Sequence, residues 1–129
     1  MEPVFLTLGE VIEIHQDQIT RYGGESGIRD MGLLKSAVGM PEVTFGGHFL
    51  HADVFEMGAA YVYHLVQNHA FVDGNKRVGV VAALVFFELN GTDIDAEEDD
   101  VEAMALAVAR GEWGKPEIAT FFKTYARKP

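Results

Sequence analysis

Apolar residues recur at three- and four-residue spacing through most of the chain, which is the period of amphipathic helices rather than strands. The first such segment starts with the capping-box pattern Thr7-Leu-Gly-Glu10 and stops at a Gly23-Gly24 pair. Further segments carry the same period, and Asp30 and Asp53 are suitable caps for two of them. The predicted helices span 8–22, 31–39, 53–68, 75–90 and 101–110, and a last one begins at Lys115. The pattern therefore predicts an all-α fold of about six helices.

Residues 40–51 break the helical period. Phe45 precedes the pair Gly46-Gly47, and such a pair favours a tight turn between two short strands. We therefore predict a small hairpin in this segment. His48 and His51 also lie here, but two histidines in a chain without cysteine are too few to indicate a metal site.

Length and composition indicate one domain, residues 1–129, because 129 residues with 48% hydrophobic content can bury a substantial core. Cysteine is absent, so no disulfide or thiolate metal site is expected, and a reducing compartment is compatible with the composition. The amino terminus lacks a basic stretch followed by an apolar one. The longest apolar run, Val78–Phe87, is too short to span a bilayer. We expect a cytoplasmic protein with no membrane partner.

The net charge of −10 argues against direct binding of nucleic acid, because a phosphate backbone attracts a basic face. It suits a basic protein partner, or solubility alone. The acidic residues are concentrated in 93–102, which holds seven carboxylates. Such a run usually forms a solvated helix start and not a metal site.

Three isolated polar residues have ordinary structural interpretations. His15 lies on the apolar side of the first predicted helix, where we expect a partly buried packing residue. Arg29 could contact a nucleotide, but an exposed ion pair with the neighbouring Asp30 is the commoner arrangement. His64 is five residues before His69, which is a poor spacing for a shared metal, so we interpret His64 as structural.

Chemically active residue types are concentrated in one stretch, His69 to Arg77, which reads HAFVDGNKR. His69 has a side chain that can take or release a proton near neutral pH. Phe71 is suited to anchor the stretch in a core. Asp73 is a hard oxygen ligand of the kind that Mg²⁺ prefers. The stretch therefore combines a candidate acid–base group with a candidate metal ligand.

The second half of this stretch has the composition of an anion site. Gly74 permits a tight turn, and Asn75 stands where the next helix is predicted to begin. A helix N-terminus presents free N–H groups and a partial positive charge. Lys76 and Arg77 add two cations in the first turn, where the helix dipole would favour acids. This placement indicates a bound phosphate that offsets the positive charge.

The stretch resembles the motif of the Fic/Doc family, H-x-F-x-D/E-G/A-N-G/K-R, and every fixed position of that motif matches. Adenylyltransferases of the family usually have glycine where Lys76 stands and a second arginine where Val80 stands, so both positions favour the Doc branch. The resemblance covers nearly the whole chain, with further landmarks at 27–38, 45–47, the helix that leads to Asn68, and 88–91.

The resemblance implies a single Fic/Doc-type domain in which the hairpin is a flap that holds a target peptide by strand addition. It implies that His69 is the general base and that Asp73 holds Mg²⁺. Lys76 and Arg77 are implied to neutralise the charge that develops during the transfer. The implied flap residues are Phe45, Gly46 and Gly47, and the implied phosphate-binding residues are Gly74, Asn75, Lys76 and Arg77.

For the reaction, the resemblance implies transfer of the γ-phosphate of ATP to a Ser or Thr hydroxyl, because Lys76 fills the space that a glycine leaves in the adenylyltransferases. The implied role is the toxin of a toxin–antitoxin pair that modifies the translation factor EF-Tu. A separate antitoxin is expected, since the chain has no inhibitory signature of the form Ser/Thr-x-x-x-Glu-Gly/Asn. An adenylyltransferase and an inactive protein that only binds a peptide remain as alternatives.

Overall fold

The structure is a computed structural model that describes residues 2–128. Within that range, six α-helices are joined by short connections, and a small hairpin lies between the second and the third. The helices are α1 Leu8–Tyr22, α2 Met31–Gly39, α3 Val54–Asn68, α4 Asn75–Leu89, α5 Glu98–Ala109 and α6 Lys115–Tyr125, and the strands are β1 Thr44–Phe45 and β2 His48–Phe49. The predicted all-α fold of about six helices with a short hairpin is confirmed.

Side-chain caps fix the helix starts where the sequence predicts them. The hydroxyl of Thr7 accepts from Glu10 N at 3.1 Å, and the Glu10 carboxylate accepts from Thr7 N at 2.8 Å. Asp53 caps α3 through the N–H of Glu56. Helix α5 starts at Glu98, three residues before the predicted Val101, because the acidic residues of its first turn are favoured beside the positive end of the helix.

Helices α3 and α4 form the antiparallel centre of the fold, and α3 also packs against α2, α5 and α6. Small residues let the two central helices approach closely. A Cβ on Gly58 would overlap the ring of Phe87, and a Cβ on Gly79 would lie 3.0 Å from a methyl of Val66. This packing brings the C-terminal end of α3 and the N-terminal end of α4 together at one side of the core.

The hairpin has the two-residue turn that its sequence predicts. Gly46 and Gly47 have φ values of 60° and 82°, which a glycine pair adopts without strain. Thr44 pairs with Phe49, and Phe45 pairs with His48. Phe45 is 83% exposed, so the hairpin presents an aromatic side chain to solvent.

Two histidines meet a lysine at the base of the hairpin. Lys115 Nζ lies 3.3 Å from His51 Nε2 and 3.1 Å from His64 Nε2. Burial, with Lys115 as a second cause, lowers the pKa of His64 to about 4 and also lowers the pKa of His51. His64 thus has a structural contact with the start of α6. Within residues 2–128, no group of three or more histidine and acidic side chains is arranged to hold a metal ion.

No helix in the described part of the chain is both long and apolar enough to cross a membrane.

We predict that Gly58→Ala lowers the free energy of unfolding by about 1–3 kcal/mol, because the added methyl overlaps Phe87 in the core. Gly39→Ala is the matched control. Gly39 is also helical, and a Cβ there would meet nothing within 4 Å, so alanine should raise stability by up to about 1 kcal/mol. Urea unfolding measures both changes. Equal effects of the two substitutions would contradict the close packing of α3 on α4.

We predict that stability falls as pH is lowered from about 6.5 towards 4, because the His64 pKa is lower in the folded protein than in the unfolded chain. The unfolded chain then binds more protons in this interval, so the contribution of His64 is fully present only above its unfolded pKa. His64→Gln keeps an acceptor for Lys115 and cannot titrate, so it should flatten the dependence of the urea midpoint on pH. His48→Gln is the control at an exposed histidine, and it should leave the pH dependence of the urea midpoint as it is in the wild type. Parallel profiles for wild type and His64→Gln would contradict this assignment.

Candidate active site

Asn75 closes the turn between α3 and α4. Its Oδ1 accepts from Phe71 N and its Nδ2 donates to Phe71 O, both at 3.0 Å. Phe71 is 1% exposed, and Asn75 is 5% exposed. Phe71 is therefore the core anchor that the sequence predicts. Both polar atoms of the Asn75 side chain are bonded within the protein. If Asn75 binds a phosphoryl oxygen, as the sequence predicts, it therefore does so through its main-chain N–H.

His69 follows the last residue of α3 in a left-handed conformation, with φ 49° and ψ 48°. Of the non-glycine residues in the range 2–128, it is the one with positive φ. Such a conformation is unfavourable for a residue with a Cβ and persists where its surroundings hold it. It turns the chain sharply out of α3 and leaves the imidazole exposed at the helix end.

Arg29 holds this left-handed residue from outside the motif. Its Nε donates to His69 O at 2.7 Å, and its Nη2 donates to Asn68 O at 3.2 Å. The prediction of an ion pair between Arg29 and Asp30 is wrong, because the Asp30 carboxylate instead caps α2 by accepting from Leu33 N at 2.9 Å. The guanidinium also lies at the negative end of α3, where a cation is favourable.

Asp73 is held as an ionised carboxylate. Its Oδ2 accepts from Glu25 N at 3.1 Å, and its Oδ1 accepts from Gly74 N at 2.8 Å. These bonds, with smaller contributions from Arg77 and Lys76, lower the pKa of Asp73 below its ordinary value. The carboxylate is exposed, and each oxygen keeps a further lone pair. The residue therefore fits Mg²⁺, which proteins commonly bind through one or two carboxylates together with substrate phosphates.

The N-terminus of α4 is a positively charged helix end. Gly74 precedes it with φ 78°, and no acidic residue lies in the first turn. The main-chain N–H groups of that turn have no partner within the helix. Arg77 Nη2 donates to Gly23 O at 2.9 Å and Nη1 donates to Gln18 O at 3.4 Å, so α1 fixes its guanidinium. Lys76 is exposed beside it.

A cavity of about 460 Å³ brings the predicted residues together. His69, Asp73, Gly74, Asn75, Lys76 and Arg77 line it together with Val66, Val72 and Ala109. It thus holds an imidazole, a carboxylate and two cations around a helix N-terminus. This arrangement is suited to bind a polyphosphate beside a side chain that can accept a proton. The hairpin residues Phe45, Gly46 and Gly47 do not line this cavity.

His15 has a contact that the sequence did not predict. It is 3% exposed, and its ring stacks on Phe71 with centroids 3.8 Å apart and planes at 7°. Its Nε2 lies 2.7 Å from Asp73 O, so its role extends from packing to the main chain of the motif. One signal was available: a histidine on an apolar helix face needs a hydrogen-bond partner when it is buried.

Comparison with known proteins gives one consistent result. The family model described as Fic/DOC family matches residues 5–87, which is more than half of the chain. The chain is 41% identical over 78 residues to "Toxin Doc" of Mycolicibacterium smegmatis, and the match covers 60% of each protein. It is 29% identical over 110 residues to "Protein kinase doc" of Escherichia phage P1, which covers 85% of this chain and 86% of the relative.

Proposed function

The chain belongs to the Fic/DOC family, and on that premise we propose that it is a Doc-like toxin that transfers the γ-phosphate of ATP to a Ser or Thr hydroxyl of a target protein. The observation that carries the proposal is the single cavity in which His69, Asp73 and Lys76 surround the N-terminus of α4. The names of the two relatives, a toxin and a protein kinase, support the same function.

In this proposal, His69 takes the proton from the attacking hydroxyl. Its imidazole is exposed in the cavity at the end of α3, where a target side chain can reach it. Arg29 keeps the main chain of His69 in place, so the ring approaches from one defined side. A positioned base of this kind contributes about 10²–10⁴ in rate.

The phosphates lie on the N-terminus of α4. The N–H groups of Asn75, Lys76 and Arg77 point out of the first turn and are available to phosphoryl oxygens, whereas Gly74 N is used by Asp73. The Arg77 guanidinium is anchored to one carbonyl of α1 and to the carbonyl of Gly23 just past it, and keeps further N–H donors for the phosphates. Bound to Asp73, Mg²⁺ would neutralise phosphate charge.

Lys76 favours phosphate transfer over AMP transfer. Its exposed ammonium lies in the cavity and, within residues 2–128, takes part in no ion pair. It attracts the terminal phosphate towards His69 and fills the volume that a glycine would leave for the α- and β-phosphates. Val80, in place of a second arginine, is 9% exposed and supplies no charge to the inner phosphates.

The hairpin is the proposed docking element for the target. Its two strands pair only with each other among the described residues, so each keeps an outer edge that an extended peptide can join. The exposed Phe45 offers an apolar contact beside that edge. EF-Tu is the target that the family resemblance suggests, and an antitoxin that covers the cavity or the hairpin is the proposed regulator.

The proposed reaction is tested by incubating the protein and purified EF-Tu with Mg²⁺ and ATP labelled on the γ-phosphate or, separately, on the α-phosphate. We expect label in the target from the γ position alone. His69→Ala should lower the rate by about 10²–10⁴, because the base is lost. Label from the α position would show an adenylyltransferase, and no label from either position with a folded protein would favour a peptide-binding role.

Lys76→Gly is the companion variant. It should lower phosphate transfer and permit AMP transfer, because it removes both the charge and the volume of the lysine. Lys76→Ala is the matched control, since it removes the charge without adding the backbone freedom of glycine to the first turn of α4. Unchanged phosphate transfer in both variants would contradict the proposed role of Lys76 in phosphate transfer.

A further inference from the structure

His15 lies outside the motif, on α1, yet it contacts the centre of the motif. We propose that His15 is a positioning residue that fixes the Asp73–Gly74 peptide and, through that peptide, the carboxylate that would hold the metal. This inference rests on the proposed function, because it assigns the residue that prepares the same site for a metal–nucleotide complex.

The hydrogen bond has a defined direction. A carbonyl oxygen can only accept, so His15 Nε2 carries the hydrogen and donates to Asp73 O over 2.7 Å. The ring is also fixed across its face, since it stacks on Phe71 at 3.8 Å between centroids. Phe71 is in turn held by the side chain of Asn75. The donor therefore has little freedom to follow the carbonyl if the peptide rotates.

The orientation of one peptide determines the orientation of the carboxylate. The C=O and N–H of a trans peptide point in opposite directions. While His15 holds the carbonyl of Asp73, the N–H of Gly74 points to Asp73 Oδ1 at 2.8 Å. Glu25 N holds the other oxygen at 3.1 Å. The carboxylate is thus locked by two main-chain donors, and His15 sets the direction of one of them.

This peptide needs a clamp because Gly74 follows it. Gly74 has φ 78° and no Cβ, so it restricts rotation of the preceding peptide less than any other residue would. A different orientation would withdraw its N–H from Asp73 and change the direction in which the chain enters α4. His15 Nε2 also adjoins Gly74 itself, since a Cβ built on Gly74 would lie 3.5 Å from it, in ordinary van der Waals contact.

Packing alone does not account for a histidine at this position. The site is 3% exposed and lies against an aromatic ring, so a phenylalanine could occupy the same face. A buried imidazole is unfavourable unless its polar atoms are bonded. What histidine adds to an apolar side chain here is the N–H that reaches Asp73 O.

Two variants separate the N–H from the ring. His15→Phe keeps an aromatic face for Phe71 and removes the donor, whereas His15→Gln loses the ring and supplies a side-chain N–H. His51→Phe is the matched control, because His51 is also buried, at 5% exposure, and does not line the cavity. Each protein is titrated with Mn²⁺ in the presence of a non-hydrolysable ATP analogue, and bound Mn²⁺ is measured by electron paramagnetic resonance. Unfolding midpoints and the kcat and KM of γ-phosphate transfer are measured on the same samples.

We expect folded His15→Phe to lose about 10–100-fold in Mn²⁺ affinity and in kcat, the usual effect of removing a group that orients a metal ligand. His15→Gln should recover Mn²⁺ affinity to within a few-fold of wild type. His51→Phe should change the unfolding midpoint and leave Mn²⁺ affinity unchanged. Folded His15→Phe with wild-type Mn²⁺ affinity would overturn the proposal.

If His15→Phe does not fold, the Mn²⁺ affinity of His15→Gln tests the proposal instead. Wild-type Mn²⁺ affinity in that variant supports the proposal, and a folded variant that has lost the affinity overturns it. Failure of the proposed function is distinguishable from both results, because in that case the wild-type protein itself binds no Mn²⁺ with the nucleotide analogue or transfers no phosphate.

Discussion

Two hydrogen bonds between the side chain of Asn75 and the main chain of Phe71 hold the turn on which the rest of the site depends. They tie the first residue of α4 to a residue fixed in the core, so the end of α3 and the start of α4 meet at a fixed separation. The chain then leaves α3 through a left-handed His69 and enters α4 through a left-handed Gly74. Both residues line the same cavity, which places an imidazole beside the positive end of a helix.

Helix α1 and the loop after it support this turn from the opposite side. His15 donates to the carbonyl of Asp73, and the N–H of Glu25 donates to its carboxylate. Arg77 donates to the carbonyl of Gly23 just past the end of α1. Asp73, the proposed metal ligand, and Arg77, the proposed phosphate-binding arginine, are therefore positioned by one distant segment, so a displacement of α1 would disturb both. The nine-residue motif supplies the candidate reactive groups, and the packing of α1 on α4 sets their geometry.

The helices and the identities of the motif residues were predictable because both follow from local patterns of spacing, capping and residue type. The contacts of His15 and Arg29 were not predictable. Each side chain binds a main-chain carbonyl of a distant segment, and every residue has such a carbonyl, so the residue types do not show which one is bound. The role of the Asn75 side chain was also not predictable. Its amide is of a type that can bind a phosphate, but in the structure it closes the turn on Phe71. The acidic run predicted a helix start within 93–102, but the apolar period alone placed the first helical residue at Val101. Helix α5 starts at Glu98 because acidic residues are favourable in the first turn of a helix.

The proposed reaction requires the N-terminus of α4 to bind the terminal phosphate of ATP beside His69. A crystal structure of the protein with Mg²⁺ and a non-hydrolysable ATP analogue tests it most directly. We expect the γ-phosphate on the main-chain N–H groups of Asn75, Lys76 and Arg77, next to the imidazole, with the ion on Asp73. An α-phosphate beside His69, or a triphosphate bound outside the cavity, would contradict it.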